Sequence, residues 1–398
     1  MKADLEAMGI EILPEVEDNL DELVAIRRDL HSHPELAGEE RRTQGVVRDF
    51  LEAEGLSTRV LAQTGLAADI VGEQEGPTLL LRADMDALPI EELNDVPYKS
   101  NVDGVMHACG HDGHTAMLMI AARILARGGL RRGRVRLMFQ PAEEGAGGAG
   151  RMIEDGILGA PRPDGALAFH VWSGHAIGEA AVLDGPVMAS VDGFEMVVTG
   201  KGTHAAVPEE GVDPVLLTSR IVSGAQDIIT RRKPAFDPAV LSFTSIHGGS
   251  AFNIIPQEVR VKGTLRTFDP QVRASIIEDL QSFAHAIAAS QGGRVSFDFF
   301  EELGPTINDP GFAERFREVA VGLLGRKRIT SPYPLMGGED MGLILRAVPG
   351  ALVLLGCGNE EKGIDNPHHH PKFEMDERVL AIGVDLFVRF AREFLADG

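Results

Sequence analysis

Several short apolar runs in this 398-residue chain stop abruptly in polar, chemically capable residues, and that alternation limits its fold more than any other feature. Leu79-Leu80-Leu81 leads into Arg82-Ala83-Asp84, the run 135–139 leads into Gln140-Pro141-Ala142-Glu143-Glu144, and the run 166–169 leads into His170. Runs this short and sharply bounded predict buried strands. Helical periodicity lies between them, clearest over 114–125, and amphipathic stretches over 19–30 and 43–51 precede them. Strand alternating with helix predicts an α/β layer around a mostly parallel sheet. In such sheets ligands bind beyond the carboxyl ends of the strands, where these polar clusters fall.

Near residue 188 the pattern changes. A strand over 194–199, a helix over 214–231, strands over 240–246 and 259–267, a helix over 270–289 and a strand over 295–300 follow in the order βαββαβ, the split unit of a ferredoxin-like α+β sandwich. After Pro305 the α/β style returns, with a helix over 312–324, a buried strand over 351–356 and a closing amphipathic helix over 377–395. A chain of this length tends to divide. The expected division is one domain of residues 1–187 and 301–398, interrupted by an inserted domain of residues 188–300.

The formal charge of −22 repels phosphate backbones and anionic lipid, which argues against nucleic acid and membrane surfaces as partners. No stretch approaches 18 uncharged apolar residues, and Met1 to Glu6 lacks the apolar run of a secretory signal, so a cytoplasmic location is expected. Only Cys109 and Cys357 carry thiols, and a chain with a core of its own needs no bridge between them.

The densest chemical cluster is His107-Ala108-Cys109-Gly110-His111-Asp112-Gly113-His114, at a strand-to-helix junction. Imidazole and thiolate together suit zinc and related metals, and a thiolate can bridge two ions. Helix capping by Asp112 with ordinary polar packing is the competing reading. In Glu143-Glu144 neighbouring side chains point to opposite sides, so one can bind metal while the other faces the activated water; an isolated pair of this kind is otherwise a solvated acidic turn. His170, at a strand end, converges on the same region. Within Asn366-Pro367-His368-His369-His370-Pro371 one of three histidines can reach it too. Asp84 and Asp86 close the strand that begins at Leu79; a carboxylate behind a metal-bound imidazole fixes its tautomer, although Asp84 could equally pair with Arg82 and do nothing more.

The strings RADMDALPI (82–90), HACGHDGHTAML (107–118), QPAEEGAGGA (140–149), HVW (170–172), GKGTHAAVPEEGVDP (200–214), AFNIIP (251–256), GTLRTF (263–268), MGGED (336–340) and HHHPKFEMDE (368–377) resemble the aminoacylase and hippurate hydrolase branch of the co-catalytic metallopeptidases, the carboxypeptidase-G-like superfamily. The resemblance implies an α/β catalytic domain with a dinuclear site and an inserted lid or dimerisation domain. It implies two divalent metal ions, whether zinc, manganese, cobalt or nickel, with Cys109 bridging, Glu144 and His369 completing one site, and His111 and His170 the other. Asp84 would stand behind the ligands, and Glu143 would be the general base. His204 of the lid would stabilise the oxyanion, supplied by the partner subunit in dimeric relatives, while Asn253 and Arg266 would hold the substrate carboxylate. The implied activity is hydrolysis of small N-acyl amino acids, hippurate-like or N-acetylated, by a homodimer or higher homo-oligomer. A dipeptidase or carboxypeptidase of the same superfamily, and a non-catalytic metal- or ligand-binding relative, are the rivals. The chain departs from the family pattern in its triple histidine, which leaves the choice among His368, His369 and His370 open, and in Met341, where an aromatic residue is usual.

Overall fold

Eight strands share one sheet in the computed structural model, which describes residues 1–145 and 147–396. In spatial order they are Thr58–Leu61, Gly65–Val71, Arg132–Gln140, Gln74–Asp84, Gly165–Ala176, Gly350–Gly358, Ala180–Ala181 and Ile329–Thr330. The four long strands from Arg132–Gln140 to Gly350–Gly358 run parallel. Gly65–Val71 joins them antiparallel, and Thr58–Leu61 pairs antiparallel with it in turn.

A parallel strand covered on both faces needs a continuous apolar run, and Leu79 to Leu81, Leu137 to Phe139, Ala166 to Phe169 and Ala351 to Leu355 are all buried. The helix His111–Gly128 is buried from His111 to Leu125, so the cluster at its start rests on a core element. The helix Arg378–Ala396 packs against it, and Leu20–Ser32 packs on it as well. Strand Gly65–Val71 was not anticipated, because its Gly-Leu-Ala-Ala opening and internal Asp69 carry little strand signal. It forms because Asp69 is opposite Arg136 in the ladder, where the Arg136 guanidinium meets its carboxylate at 2.9 Å.

The described chain forms two compact units. The first comprises Met1–Gly185, Ile307–Tyr333 and the chain from Leu343 onward; the second comprises Pro186–Thr306 and Pro334–Gly342. The segment 334–342, which the sequence reading left in the first domain, groups with the second. That second unit is an antiparallel sheet in the order Ala239–His247, Glu258–Thr267, Val191–Thr199, Arg294–Leu303, with the helices Pro214–Arg231 and Pro270–Ala289. This is the βαββαβ order of a ferredoxin-like sandwich. Both helices open on an Asp-Pro pair: Asp213 accepts from the amides of Val215 and Leu216, Asp269 from those of Gln271 and Val272, and proline at the first position gives up no needed donor. Phe194, Met196, Val198, Leu217, Ile221 and Leu280 fill its core. Among the described residues no helix is long and apolar enough to cross a membrane.

Candidate metal centre

The turn that carries Cys109 into the first helix depends on one glycine. Gly110 caps the helix at φ 88°, and a Cβ there would lie 2.4 Å from Val171 Cγ2. Cys109 and His111 are thereby held against strand Gly165–Ala176, which carries His170. Arg82 is level with Ala168 in the neighbouring strand, so Asp84 and His170 lie side by side where the sheet opens. The second turn, after Gln140, is equally tight: a Cβ on Gly148 would lie 1.6 Å from the Pro141 carbonyl oxygen. Ala142, inside it, adopts φ 55° and donates its amide to Glu40 at 2.9 Å. Such a conformation costs on the order of 1 kcal/mol or more in a residue with a side chain and persists only where its surroundings enforce it.

Cys109, His111 and His170 each offer a ligand atom, all within 4.8 Å of one another, and so do Cys109, Glu144 and His369. The Cys109 sulfur belongs to both groups. It lies 3.5 Å from His170 Nε2, and His369 Nε2 lies 3.1 Å from Glu144 Oε1. Glu143 forms a further such group with His111 and Glu144.

Hydrogen bonds fix which nitrogen each imidazole presents. His111 Nδ1 donates to the Asp86 carbonyl at 2.9 Å and His170 Nδ1 to the Val171 carbonyl at 2.7 Å, leaving both Nε2 atoms as lone-pair donors. His111 Nε2 is buried without a hydrogen-bond partner among the described residues. Of the three late histidines, His369 faces Cys109 and Glu144, its backbone at φ 64° and its amide bonded to the Ala108 carbonyl at 2.9 Å. His368 is engaged elsewhere, donating Nε2 to the Val171 carbonyl at 2.9 Å and stacking on Trp172 at 4.4 Å. His370 accepts from the Lys372 amide at 3.0 Å.

The electrostatics favour a cation. Burial pushes the Cys109 thiol well above its ordinary range, and burial holds the His170 imidazole well below its own, in the neutral form a ligand requires. At His111 burial opposes a charge, but the Asp84 carboxylate and Cys109 overcome it and raise the imidazole well above its usual range. The position of Nε2 therefore prefers positive charge. A divalent ion would supply it, and would also stabilise the thiolate that burial alone forbids. Thiolate, imidazole and carboxylate are the donors that zinc, manganese, cobalt and nickel accept.

Asp84 lies beside the donor groups without a hydrogen bond to Nδ1 of His111 or of His170, both of which meet backbone carbonyls. Its carboxylate pairs with Arg82 at 2.7 Å and with His114 Nδ1 at 2.5 Å, and it approaches His111 from the Nε2 side at 3.8 Å. The physical reason is the pleat: Arg82 and Asp84 share one face of their strand. The bond behind His111 comes from Asp86, whose carboxylate also accepts the Glu144 amide at 2.9 Å. Asp86 thus positions residues of both groups, His111 through its main-chain carbonyl and Glu144 through its carboxylate. Asp112 turns away into a buried network, bonded to Arg27 at 2.8 Å and to His31 Nδ1 at 2.8 Å; Arg27 also meets Glu374 at 2.9 Å, and His31 meets Glu92 at 3.3 Å. This network escaped the periodicity of the helix Leu20–Ser32, whose buried face is Leu23, Arg27, Leu30 and His31. Both cysteines are free and buried, Cys357 within the strand Gly350–Gly358.

The remaining expected residues lie in the second unit. His204 and Ile254 are paired across a two-stranded ladder, and the Ala205 amide donates to the Asn253 carbonyl at 3.0 Å, so His204 and Asn253 share one exposed tip. His204 Nδ1 accepts from the Ala206 amide at 3.1 Å, which leaves Nε2–H as an outward donor. Arg266 sits half-buried in the strand Glu258–Thr267 beside Gly338.

The sequence pattern of peptidase family M20/M25/M40 matches residues 80–393. The chain is 38% identical over 372 residues to N-acetylcysteine deacetylase of Bacillus subtilis (strain 168), covering 93% of this chain and 96% of that one. It is 36% identical to IAA-amino acid hydrolase ILR1-like 4 of Arabidopsis thaliana, over 96% of this chain and 87% of that one, and 38% identical to thermostable carboxypeptidase 2 of Saccharolobus solfataricus, over 93% and 94%. Among solved structures it resembles the Bacillus subtilis YXEP protein, described as a dinuclear metal binding peptidase from M20 family, with a TM-score of 0.84 at 34% identity, covering 96% of this chain and 99% of that one.

Proposed function

Because the chain belongs to peptidase family M20/M25/M40 and is a hydrolase of that family, we propose that it cleaves the amide bond of N-acyl amino acids at a dinuclear metal centre. The observation that carries this reading is the pair of donor groups hinged on the Cys109 sulfur, with Glu143 beside them. Cys109 would be shared between the ions, His111 and His170 would complete one site, and Glu144 and His369 the other. Divalent ions held there would lower the pKa of a water and polarise the scissile carbonyl. Glu143 takes the proton of that water as it attacks and passes it to the leaving amine. Its neighbour Glu144 would instead be a ligand, grouped with Cys109 and His369.

His204 donates Nε2–H to the developing oxyanion, and Arg266 and Asn253 hold the substrate carboxylate, for which a guanidinium is a bidentate match. The relatives named as a deacetylase and as an amino acid hydrolase support a simple acyl group on the carbonyl side of the scissile bond and an amino acid on its nitrogen side. The similarity to a carboxypeptidase supports peptides as a second substrate class. A panel of N-acetyl and N-benzoyl amino acids beside dipeptides, assayed with manganese, cobalt, zinc and nickel, tests both. Turnover of the acyl amino acids above the dipeptides is expected. Dipeptides turned over faster would replace the first reading by the second, and no turnover with any of these metals would overturn both.

A further inference from the structure

His114 is the histidine that the metal centre does not use, although its ring packs 5.4 Å from that of His111 and 4.8 Å from that of His170, and it forms a donor group with Asp84 and His111. Proximity alone would make it a ligand. Its hydrogen bonds say otherwise. Nδ1 lies 2.5 Å from Asp84 Oδ1, a carboxylate already held by Arg82, so the proton sits on Nδ1. Nε2 is 2.8 Å from the Val171 amide and accepts its proton, so the one lone pair that could bind metal is spent. The carbonyl of the same residue, which lies in the next peptide unit, accepts from two other imidazoles, His170 Nδ1 at 2.7 Å and His368 Nε2 at 2.9 Å.

We infer that His114 is a positioning residue, which, braced by the Asp84 carboxylate, holds the backbone of Val171 and so sets the tautomer and aim of His170. The chain Asp84, His114, Val171, His170 replaces the direct contact between carboxylate and ligating imidazole that metal sites commonly use. An imidazole that accepts from the Val171 amide fixes that residue in its strand, and with it the direction of the Val171 carbonyl in the next peptide unit. That carbonyl accepts the hydrogen bond of His170 Nδ1–H and leaves Nε2 facing Cys109. His368 shares the carbonyl and stacks on Trp172, so the histidine that precedes His369 is anchored by the same peptide. Three histidines, on a helix, a strand and a loop, are thus held by the backbone of one residue, Val171.

The inference rests on the proposed metal centre, and its test separates the two. In the metal-free protein labelled with nitrogen-15 at histidine, His114 should show a protonated Nδ1 and a bare Nε2. On titration with zinc alone, the Nε2 signals of His111 and His170 should take a coordination shift and those of His114 should not. A protonated Nε2 on His114, or a coordination shift there, would overturn the inference. Variants supply the second measurement, calorimetry with zinc as the only ligand. His114→Gln offers an amide oxygen where Nε2 stood and should keep both sites within a fewfold of the parent. His114→Asn can reach Asp84 but not the Val171 amide, and should weaken one of the two sites roughly 10- to 100-fold. Equal losses in both variants would mark His114 as a ligand, and no loss in either would mark it as packing. If the unaltered protein takes up no zinc, the metal centre itself fails and the relay loses its purpose with it.

Discussion

The Glu144 amide donates to the Asp86 carboxylate at 2.9 Å, which pins the turn that carries both adjacent glutamates to the residue whose carbonyl orients His111. With the turn fixed from outside, a change in either side chain should leave its neighbour in place. Glu143→Gln is expected to lower kcat by roughly 10²- to 10⁴-fold with two ions retained. Glu144→Gln is expected to lose metal first and activity as a consequence. Elemental analysis and kcat on the two proteins together distinguish the roles, and near-normal turnover of Glu143→Gln would remove it as the base.

Cys109 belongs to both donor groups, so its loss should be felt at both sites. Cys109→Ser is expected to emerge from gel filtration with fewer than two ions per chain, whereas Cys357→Ser, remote in its strand, should keep two. A Cys109→Ser protein that holds two ions as tightly as the parent would exclude the bridge.

His31 gives stability a pH dependence. Burial and Arg27 oppose its charge, but the Asp112 and Glu92 carboxylates prevail and hold its pKa at about 9 against an ordinary 6.5. A raised pKa means that the folded state keeps a proton the unfolded chain releases. The contribution is therefore complete below pH 6.5 and is lost as pH rises from 6.5 through 9. At ~1.4 kcal/mol per unit it is on the order of 3 kcal/mol, belonging to the whole His31–Asp112–Glu92 cluster. With metal concentration constant, melting temperature should fall over that interval in the parent and less steeply in His31→Gln. Parallel slopes would refute the assignment.

His204, with Nε2–H turned outward, is expected to act on the oxyanion. His204→Ala should lower kcat roughly 10²- to 10³-fold while metal content stays level. If the donor comes from a partner subunit, mixing His204→Ala with Glu143→Gln chains should restore part of the activity, because one site in each hybrid has both residues. No recovery in verified hybrids would exclude sharing, and an ordinary kcat in His204→Ala would exclude the role.

How much of this was legible in the sequence follows from what each feature depends on. The helices Pro214–Arg231 and Pro270–Ala289 could be placed to the residue because Asp-Pro caps are local chemistry. The donor groups could be located because their residues follow apolar runs directly. Strand Gly65–Val71 could not, since its place is set by pairing with Arg136 and not by its own composition. Nor could Arg27 and His31, polar residues that complete the buried face of the helix Leu20–Ser32 beside Leu23 and Leu30. Among His368, His369 and His370 the distinction is a left-handed backbone at His369, which no side chain announces. Asp86 meets His111 through its main-chain carbonyl and His114 acts through its tautomer, and neither contact is written in residue type.

The place of strand Gly350–Gly358 beside Gly165–Ala176 has a consequence for biosynthesis. The chain leaves the first unit at Gly185 and returns at Ile307, so the ribosome must make residues 186–349 before that neighbour exists. At about 5–20 residues per second this takes roughly eight to thirty seconds. Throughout that interval the strand bearing His170 has one unpaired edge, the kind of surface that invites association with other nascent chains. His369 emerges later still. The catalytic pocket is therefore assembled after translation of nearly the whole polypeptide, and a truncated product carries Cys109, His111, Glu144 and His170 without the last donor.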